Sequence, residues 1–456
     1  MNLGWGVVRV INDFKANMVN MHAWLPSKMR YDSYDSLQAA AAELKRQWPD
    51  ELCMGKADFK SAFKTLPVDE EQGWMCYALI YSPDAERHMV APIRSQAFGS
   101  LGAVAAWFRI AKAIQCIMLR VFKVVIFAYV DDCFWVTPAI DDDSQLNARN
   151  IACAFEYVVT HLLGWRLDPD KTSFGKCITV LGCMGSQESS WQLSADKAEA
   201  WTAELKEQLS RNRLTPAEAS KLGGRLSFLN STCFNRLGRA ILRPIIWRQT
   251  HVQGTFELTR RLRWSMLWFL KALEARWARQ VPYSIDLEQL AVVYSDAESH
   301  GSIAAVFILD DKVQYLQAMI PRSVMSLLQP RLTNIVAYEL IAAIVAVLHA
   351  DRILPKHTGL RHFVDSKPAL GCILKGSSPQ FDLNCLAGYV WYVAGSRMRS
   401  YWGQYVRSKC NLADAPSRGD VGVMKQLRAE QIHCDVAQLS EAAAWLKSLK
   451  SELLVT

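Results

Sequence analysis

The chain has 456 residues, 51% of them hydrophobic, which is enough for two or three domains with sizeable cores. Its 52 Lys and Arg and 44 Asp and Glu give a net charge of +8, which is compatible with a nucleic-acid partner but does not establish one. The 12 cysteines form no CxxC pair, which argues against a secreted disulfide scaffold and for reduced thiols. We find neither an apolar signal core nor an apolar run of about 18 residues. The sequence therefore predicts an intracellular protein, cytoplasmic or nuclear, without a membrane span.

Residues 1–190 mix helix-like and strand-like segments. The apolar run 121–130 predicts a buried strand that ends at Asp131 and Asp132, and a second apolar segment carries Asp58. Burying carboxylates is costly unless a cation or hydrogen bonds compensate. Three of them on two strands therefore predict a site for two Mg²⁺ ions, with Mn²⁺ as the alternative, because hard cations prefer oxygen ligands. Such a site is suited to in-line phosphoryl transfer.

Residues 191–288 are predicted to be mainly helical. The sequence TPAE from Thr215 has the form of a capping box with Pro at the first helical position. The segment 260–280 reads as a basic, Trp-rich amphipathic helix, followed by a linker at 282–286. Its side chains either contact the phosphates of a duplex or form a packed face with a solvated back. The candidate contacts are Arg261, Arg263, Trp268 and Lys271.

Residues 289–420 change to a pattern of three strands, a helix, a further strand and a later strand, and the tail 421–456 is predicted to be helical. The region contains four separated acids: Asp296, Glu339, Asp365 and Asp414. Glu339 lies within an apolar helix, where an unpaired acid is expensive, so it is either a metal ligand or the partner of a nearby Arg or Lys. A mixed sheet with this order of elements would bring the four acids to one edge as a second two-metal site.

Two families are indicated by these motifs. GKADFKSAF, QAFGSLGAVAAWF, FAYVDDCFWV, GWRLDPDKTSF and VLGC occur in the order of the reverse transcriptase palm motifs, so 1–250 resembles a retroelement reverse transcriptase, most similar to the DIRS type. The four later acids and VRSKCNLADAPSRG resemble an RNase H domain. The resemblance implies a multidomain α/β and α+β fold: a right-hand polymerase with partial fingers and palm (1–190) and thumb or connection (191–288), then an RNase H-like mixed-sheet domain (289–420) and a helical tail (421–456).

The resemblance also assigns roles in the palm. It implies that Asp58 and Asp131 bind metal. Asp132 is predicted as a further metal ligand that supports the site or the primer end. Lys171 either protonates the leaving pyrophosphate or is an ordinary surface lysine. Since the fingers begin abruptly at residue 1, with Asn12 where relatives often have Asp, we also expect that family members carry further sequence upstream.

Other residues are assigned to the substrates by the same resemblance. Arg9 holds the triphosphate through forked, charge-assisted hydrogen bonds. Phe63 either blocks a ribose 2′-hydroxyl or is an ordinary core residue. Phe98 and Gly99 contact the incoming nucleotide and template. A further pair belongs to the hairpin that grips the primer: Leu181 and Gly182.

The RNase H resemblance implies that all four later acids are catalytic metal ligands. Arg418 either touches a phosphate or forms a surface salt bridge, and no histidine lies between Gln404 and Asp414 to assist. The expected partners are dNTPs, an RNA template, a DNA primer and an RNA–DNA hybrid; the sequence leaves the oligomeric state open. Two alternatives remain: a truncated or domesticated nucleic-acid-binding remnant, and a nuclease with RNase H activity alone.

Overall fold

The structure is a computed structural model that describes residues 14, 18–25, 28–48, 51–139, 146–186, 190–234, 236–251, 255–277, 279–280, 290–354, 359–396 and 400–434, together with 440, 443, 444 and 446. The chain forms two compact units, Met1–Ser189 and Ser190–Thr456, which we call the first and second unit. The finer domain boundaries expected near 190, 288 and 420 stay a prediction, and the expected linker at 282–286 lies outside the described residues.

The first unit alternates helices and strands. Its described elements are, in chain order, α1 (Val19–His22), α2 (Tyr34–Gln47), β1 (Leu52–Asp58), β2 (Tyr77–Ser82), β3 (Arg87–Pro92), α3 (Leu101–Phe122), β4 (Phe127–Tyr129), β5 (Asp132–Pro138), α4 (Leu146–Glu156) with a π-helical turn (Tyr157–Leu162), β6 (Ser173–Gly175), β7 (Cys177–Val180) and β8 (Cys183–Ser186). Short 3₁₀ turns lie at Ala62–Thr65, Glu70–Met75 and Pro169–Lys171.

One antiparallel sheet of this unit has the strand order β4-β5-β1-β6. Trp107 of α3, Trp135 of β5 and Phe155 of α4 are almost completely buried in one apolar cluster, which fixes α3 and α4 against the sheet. β2 and β3 form a separate ribbon, and β7 and β8 form a hairpin. The predicted strand over 121–130 is shorter than expected, because α3 continues to Phe122 and β4 begins only at Phe127.

Helix α3 is, by length and composition, the single helix within the described ranges that is long and apolar enough to cross a membrane. The expectation that the chain has no membrane span stays a prediction, and the helix carries Arg109 and Lys112 within its apolar sequence. One side of the helix packs in the cluster of the first unit through Ala103, Trp107 and Met118. The core helix of a soluble protein passes the same length and composition test, so the finding is weak support for a membrane span.

The second unit begins with a mainly helical region. Its described elements are β9 (Ser190–Leu193), α5 (Ala195–Ser210), α6 (Pro216–Thr232), α7 (Arg239–Arg248), α8 (Arg260–Glu274) and β10 (Arg279–Gln280). The predicted capping box is confirmed: the Thr215 hydroxyl accepts from the Glu218 amide, and the Glu218 carboxylate accepts from the Thr215 amide. β9 pairs antiparallel with β10, so this region is not purely helical.

A mixed sheet with helices follows in the same unit. Its elements are β11 (Ala291–Ala297), β12 (Ser302–Leu309), β13 (Lys312–Met319), α9 (Arg322–Met325), α10 (Ile335–Ile353), β14 (Leu360–Val364), α11 (Lys367–Lys375), α12 (Phe381–Ser396), β15 (Tyr401–Tyr405), α13 (Asp414–Ser417), α14 (Gly422–Gln426) and β16 (Glu430–Gln431). The strand order is β15-β14-β11-β12-β13-β16. β11, β12 and β13 pair antiparallel, whereas β14 is parallel to β11 and β15 to β14. The predicted order of strands and helix is confirmed.

Helix α10 lies in the core of this unit. Its hydrophobic residues from Ala337 to Leu348 are all buried, because the helix packs against β11 and β12 and also against α12. A helix that is apolar around its whole circumference is expected to be buried on every side. The helical region joins the same body, since Asn384 Nδ2 of α12 donates to the Ala240 carbonyl of α7 at 3.0 Å.

The tail differs in part from the helical prediction. After the short helix α14 the chain returns to an extended form, and β16 pairs parallel with β13 at the edge of the sheet. Met424 of α14 is fully buried in a small cluster with Val306 and Tyr315. The amphipathic segment predicted over 442–454 lies largely outside the described residues.

Candidate active sites

The three acids predicted in the first unit meet at one end of its sheet. β1 ends at Asp58 and β5 begins at Asp132, and these two residues are paired in the antiparallel register. Asp131 lies in the two-residue turn between β4 and β5. Asp58 is only 8% exposed, so its carboxylate needs a compensating partner. The predicted juxtaposition of acids from two strands is therefore present.

The turn that carries Asp131 has an unusual backbone. Val130 has a φ of +56°, a conformation that a β-branched residue adopts only when its surroundings impose it. The buried Trp107 supplies part of that restraint, because its Nε1 donates to the Val130 carbonyl at 2.7 Å. A core residue thus holds the turn on which the candidate metal ligands lie.

Lys171 supplies a positive charge beside the acids of the first unit. Its Nζ forms a hydrogen-bonded ion pair with Asp58 Oδ2 and lies 3.5 Å from Asp168 Oδ2. The hydrogen bond that Lys171 donates to Asp58 raises the pKa of Lys171. The pKa of Asp132 is raised to about 6, first by burial and then by the negative charges of Asp58 and Asp131. Because one lysine offsets only part of the negative charge of these acids, the site remains electrostatically favourable for a divalent cation.

The residues predicted to contact the nucleotide lie together. Phe63 is buried in a 3₁₀ turn and packs edge-on against Phe98, with ring centroids 5.5 Å apart. Gly99 has a φ of +94°, which favours glycine, and its carbonyl accepts from Asn20 Nδ2 at 2.8 Å. Arg9 lies outside the described residues. The roles of these residues toward a substrate stay predictions.

Leu181 and Gly182 form the turn between β7 and β8, as expected for a hairpin. Their φ angles are +49° and +82°, which correspond to the type I′ turn that suits the twist of a two-stranded hairpin. Glycine adopts this conformation without cost, whereas Leu181 does not. Their contact with a primer stays a prediction.

The candidate duplex contacts on α8 divide between packing and exposure. Trp268 packs with Phe234 and Trp277 at centroid distances of 5.9 and 5.7 Å, which favours the packing interpretation for this residue. The Arg261 guanidinium lies over the Phe381 ring at 4.3 Å, within the unit. Arg263 forms a hydrogen bond at the surface, where it donates to Asn212 at 2.7 Å. Lys271 is exposed to solvent.

The second unit brings three of its four predicted acids into one group. Asp296 lies in β11, Glu339 in α10 and Asp365 directly after β14. One carboxylate oxygen from each lies within 4.8 Å of the others. Asp296 and Glu339 are 4% and 5% exposed, so two of the three are removed from water. Within the described ranges this is the group of acids, histidines and cysteines whose geometry suits a metal ion.

The electrostatics of this group call for a cation. Burial, followed by the charges of Asp296, Asp365 and Asp414, raises the pKa of Glu339 to about 9. Burial also raises the pKa of Asp296 to about 7, and the charges of Asp365 and Asp414 add to that effect. Glu339 Oε2 is buried without a hydrogen-bond partner. A buried acceptor with no donor is costly, and a divalent cation held by carboxylate oxygens would satisfy it.

Asp414 lies next to this group, at the start of α13. Its charge acts on both Asp296 and Glu339, although its oxygens are not part of the tight group. Arg418 donates to Asp414 Oδ1 at 2.9 Å and is largely exposed, so the salt bridge that was one of its two predicted roles is present. Its contact with a phosphate stays a prediction.

The sequence analysis assigned no role to two polar residues that lie near the second site. The buried Ser417 hydroxyl donates to Asp296 Oδ2 at 2.5 Å and so fixes the orientation of that carboxylate. The fully buried His362 lies between the Ser295 and Tyr401 hydroxyls, at 2.8 Å from each. Burial lowers the pKa of His362 to about 3, which keeps it neutral. The sequence gives Ser417 a place beside Asp414 but not its contact with Asp296.

Neither a family model nor a curated protein matches the sequence. Among solved structures, the chain is similar to the foamy viral protease-reverse transcriptase in complex with dsDNA, with 13% sequence identity and a TM-score of 0.43 over 86% of this chain and 73% of that chain. Because both values are low, we base the function on the geometry of the two carboxylate groups.

Proposed function

We propose that this protein is an RNA-directed DNA polymerase with RNase H activity, from a retroelement most similar to the DIRS type. The observation that supports it most strongly is that each unit gathers buried and partly buried carboxylates from separate elements. Asp58 faces Asp132 beside Asp131 in the first unit, and Asp296, Glu339 and Asp365 converge in the second. Two such groups in one chain fit two phosphoryl-transfer reactions on nucleic acid, inside the cell.

In the polymerase reaction the first unit orients a DNA primer end and a dNTP over an RNA template. Asp58 and Asp131 would hold Mg²⁺ or Mn²⁺, which when bound stabilises the attacking and leaving oxygens of an in-line displacement. Lys171 holds a proton beside Asp58, where it can be given to the leaving pyrophosphate. Phe63, packed against Phe98, presents a rigid ring that excludes a 2′-hydroxyl.

In the nuclease reaction the second unit binds an RNA–DNA hybrid. Asp296, Glu339 and Asp365 would hold the cation, with Asp414 beside them. Ser417 keeps Asp296 oriented. Recognition of the RNA strand would use the 2′-hydroxyl and the A-like groove, which distinguish RNA from DNA.

A nuclease without polymerase activity is the second candidate. It is favoured by one observation: among the described residues, the group whose oxygens lie close enough for a metal ion is in the second unit, whereas Asp58 in the first unit is engaged by Lys171. A remnant that only binds nucleic acid is the third possibility.

The test uses one preparation of the full chain in two assays. The first measures dTMP incorporation on poly(rA)/oligo(dT), and the second measures cleavage of a labelled RNA–DNA hybrid, each with Mg²⁺, with Mn²⁺ and with EDTA. We expect both activities, and their loss in EDTA. Cleavage without extension would refute the polymerase and leave the nuclease, and the absence of both activities would leave the remnant.

A further inference from the structure

Asp32 lies outside both predicted sites and holds β4, the strand that leads into the turn carrying Asp131. Asp32 precedes α2, and its Oδ2 accepts from the backbone N–H of Ala128 in β4 at 3.0 Å. The N–H of Asp32 donates in return to the Ala128 carbonyl at 3.2 Å. β4 is the edge strand of its sheet. The reciprocal pair therefore satisfies backbone groups that an edge strand leaves without a neighbour.

The same carboxylate also connects α3 to this edge. Gln115 Nε2 donates to Asp32 Oδ2 at 2.7 Å and to the Ile126 carbonyl at 2.6 Å, and Lys112 Nζ lies 3.3 Å from Asp32 Oδ2. Hydrogen bonds to an ionised acceptor are stronger than those between neutral groups. Asp32 thus joins three separate parts of the chain at one point.

Tyr129, which follows Ala128, packs against Tyr31, the neighbour of Asp32 in the chain. The Tyr31 ring lies 5.4 Å from the Tyr129 ring and 5.2 Å from the Phe108 ring, measured between centroids. Tyr129 leads directly into the turn at Val130, whose positive φ persists only if the surroundings fix it. Trp107 holds the carbonyl of Val130, and the Tyr31–Asp32 pair holds the strand before it.

We propose that Asp32 is a positioning residue for the acids of the first unit: through Ala128 it fixes β4 and, with it, the placement of Asp131. This inference rests on the proposed polymerase function, and it adds a residue that no motif of the sequence indicates. Asp32 directly precedes Ser33, the N-cap of α2, so its local sequence suggests only the start of a helix.

The first experiment measures hydrogen exchange, which is independent of activity. We compare the wild type with Asp32→Ala and Asp32→Asn, and we use Asp35→Asn, an exposed carboxylate of the neighbouring helix, as the charge-matched control. Asp32→Ala should accelerate exchange in a peptide spanning 124–132, because the Ala128 amide loses its acceptor. Asp32→Asn keeps an oxygen for that amide and should restore most of the protection.

The second experiment measures primer extension and hybrid cleavage on the same preparations. We expect Asp32→Ala to lower kcat for extension by about 10- to 100-fold with little change in the KM for dTTP, because a small misplacement of reacting groups is costly. Hybrid cleavage should be unchanged. Gln115→Ala should give a similar loss, and the double variant should be no worse than either single variant, since the residues act through one contact.

The outcomes separate this inference from the proposed function. Unchanged exchange over 124–132 in Asp32→Ala would overturn it, as would extension at the wild-type rate. A fall of both activities together with general loss of protection would also overturn it, since that reports unfolding. A local exchange effect in a chain that extends no primer would support the role of Asp32 in holding β4 and refute the polymerase.

Discussion

Replacing Glu339 by Gln should stabilise the metal-free protein at neutral pH and destabilise the metal-loaded protein. The carboxyl group is buried in α10 among three other acids, one of its oxygens has no hydrogen-bond partner, and its pKa is raised to about 9 from 4.5. The pKa of this group is higher in the folded than in the unfolded protein. The free energy of unfolding is therefore largest below the unfolded-state pKa and falls as the pH rises from that value toward the folded-state pKa. The neutral amide of Gln does not incur this loss.

The size of the effect follows from the two pKa values. At pH 7 the pH lies 2.5 units above the unfolded pKa of 4.5, so at 1.36 kcal/mol per unit the wild type loses ~3 kcal/mol relative to Glu339→Gln. At pH 5 the difference falls below ~1 kcal/mol. For a unit of this size, ~3 kcal/mol corresponds to a difference in Tm of about 6–12 °C.

The assay is thermal unfolding in EDTA at pH 5 and pH 7, repeated at pH 7 with saturating Mg²⁺. Asp311→Asn, on the exposed turn between β12 and β13, is the control for removal of one negative charge from the same unit. In EDTA the Tm of Glu339→Gln should exceed that of the wild type at pH 7 but hardly at pH 5. With Mg²⁺ the order should reverse, because only the wild type keeps the full set of ligands. Parallel pH dependence of the two proteins in EDTA would refute the reasoning.

Two further predictions concern the separation of the sites and the tail. Asp131→Asn should abolish primer extension and spare hybrid cleavage, whereas Asp365→Asn should do the reverse; loss of both activities in either folded variant would count against two independent sites. Met424→Ala should lower the free energy of unfolding by about 2–5 kcal/mol in urea denaturation, because Met424 is fully buried against the sheet. An unchanged denaturation midpoint would mean that the tail contributes no core to the second unit.

The sequence predicted the strands of the second unit well because each has a strong local pattern. β11, β12 and β13 are short apolar segments separated by turns, and such segments form paired strands with little help from distant residues. The placement of Asp296 and Glu339 could also be inferred, because an acid in an apolar helix or at a strand end is unusual and needs a partner. The same argument led to the pairing of Asp58 with the acids near residue 131.

The contacts that complete the sites could not be read from local patterns. Asp32 meets Ala128 across 96 positions, and Ser417 meets Asp296 across 121. A carboxylate just before a helix start is common for reasons of capping alone, and Ser417 is simply the last residue of a short helix, so neither residue is distinctive in sequence. The extent of α3 was missed for a related reason: its apolar composition continues directly into the following strand, and the boundary is set by tertiary packing.

The two sites balance their negative charge in different ways, and this has a measurable consequence. In the first unit Lys171 pairs with Asp58, so a cation competes with an ammonium group. In the second unit Glu339, with its pKa near 9, is protonated at pH 7, so a cation must displace a proton. Binding of Mg²⁺ to the second site should therefore release more than one proton at pH 7, because Asp296, with its pKa near 7, adds to the release from Glu339.

Calorimetry in two buffers of different ionisation enthalpy measures this release. Asp58→Asn isolates the second site, and Glu339→Gln in the same background removes the titrating group. We expect the apparent binding enthalpy of Asp58→Asn to change strongly with the buffer. That of the double variant, if it binds at all, should change much less, because only Asp296 can still release a proton. Buffer-independent binding to the single variant would show that Glu339 is already ionised in the metal-free protein, and the prediction of its stabilising replacement by Gln would then be wrong as well.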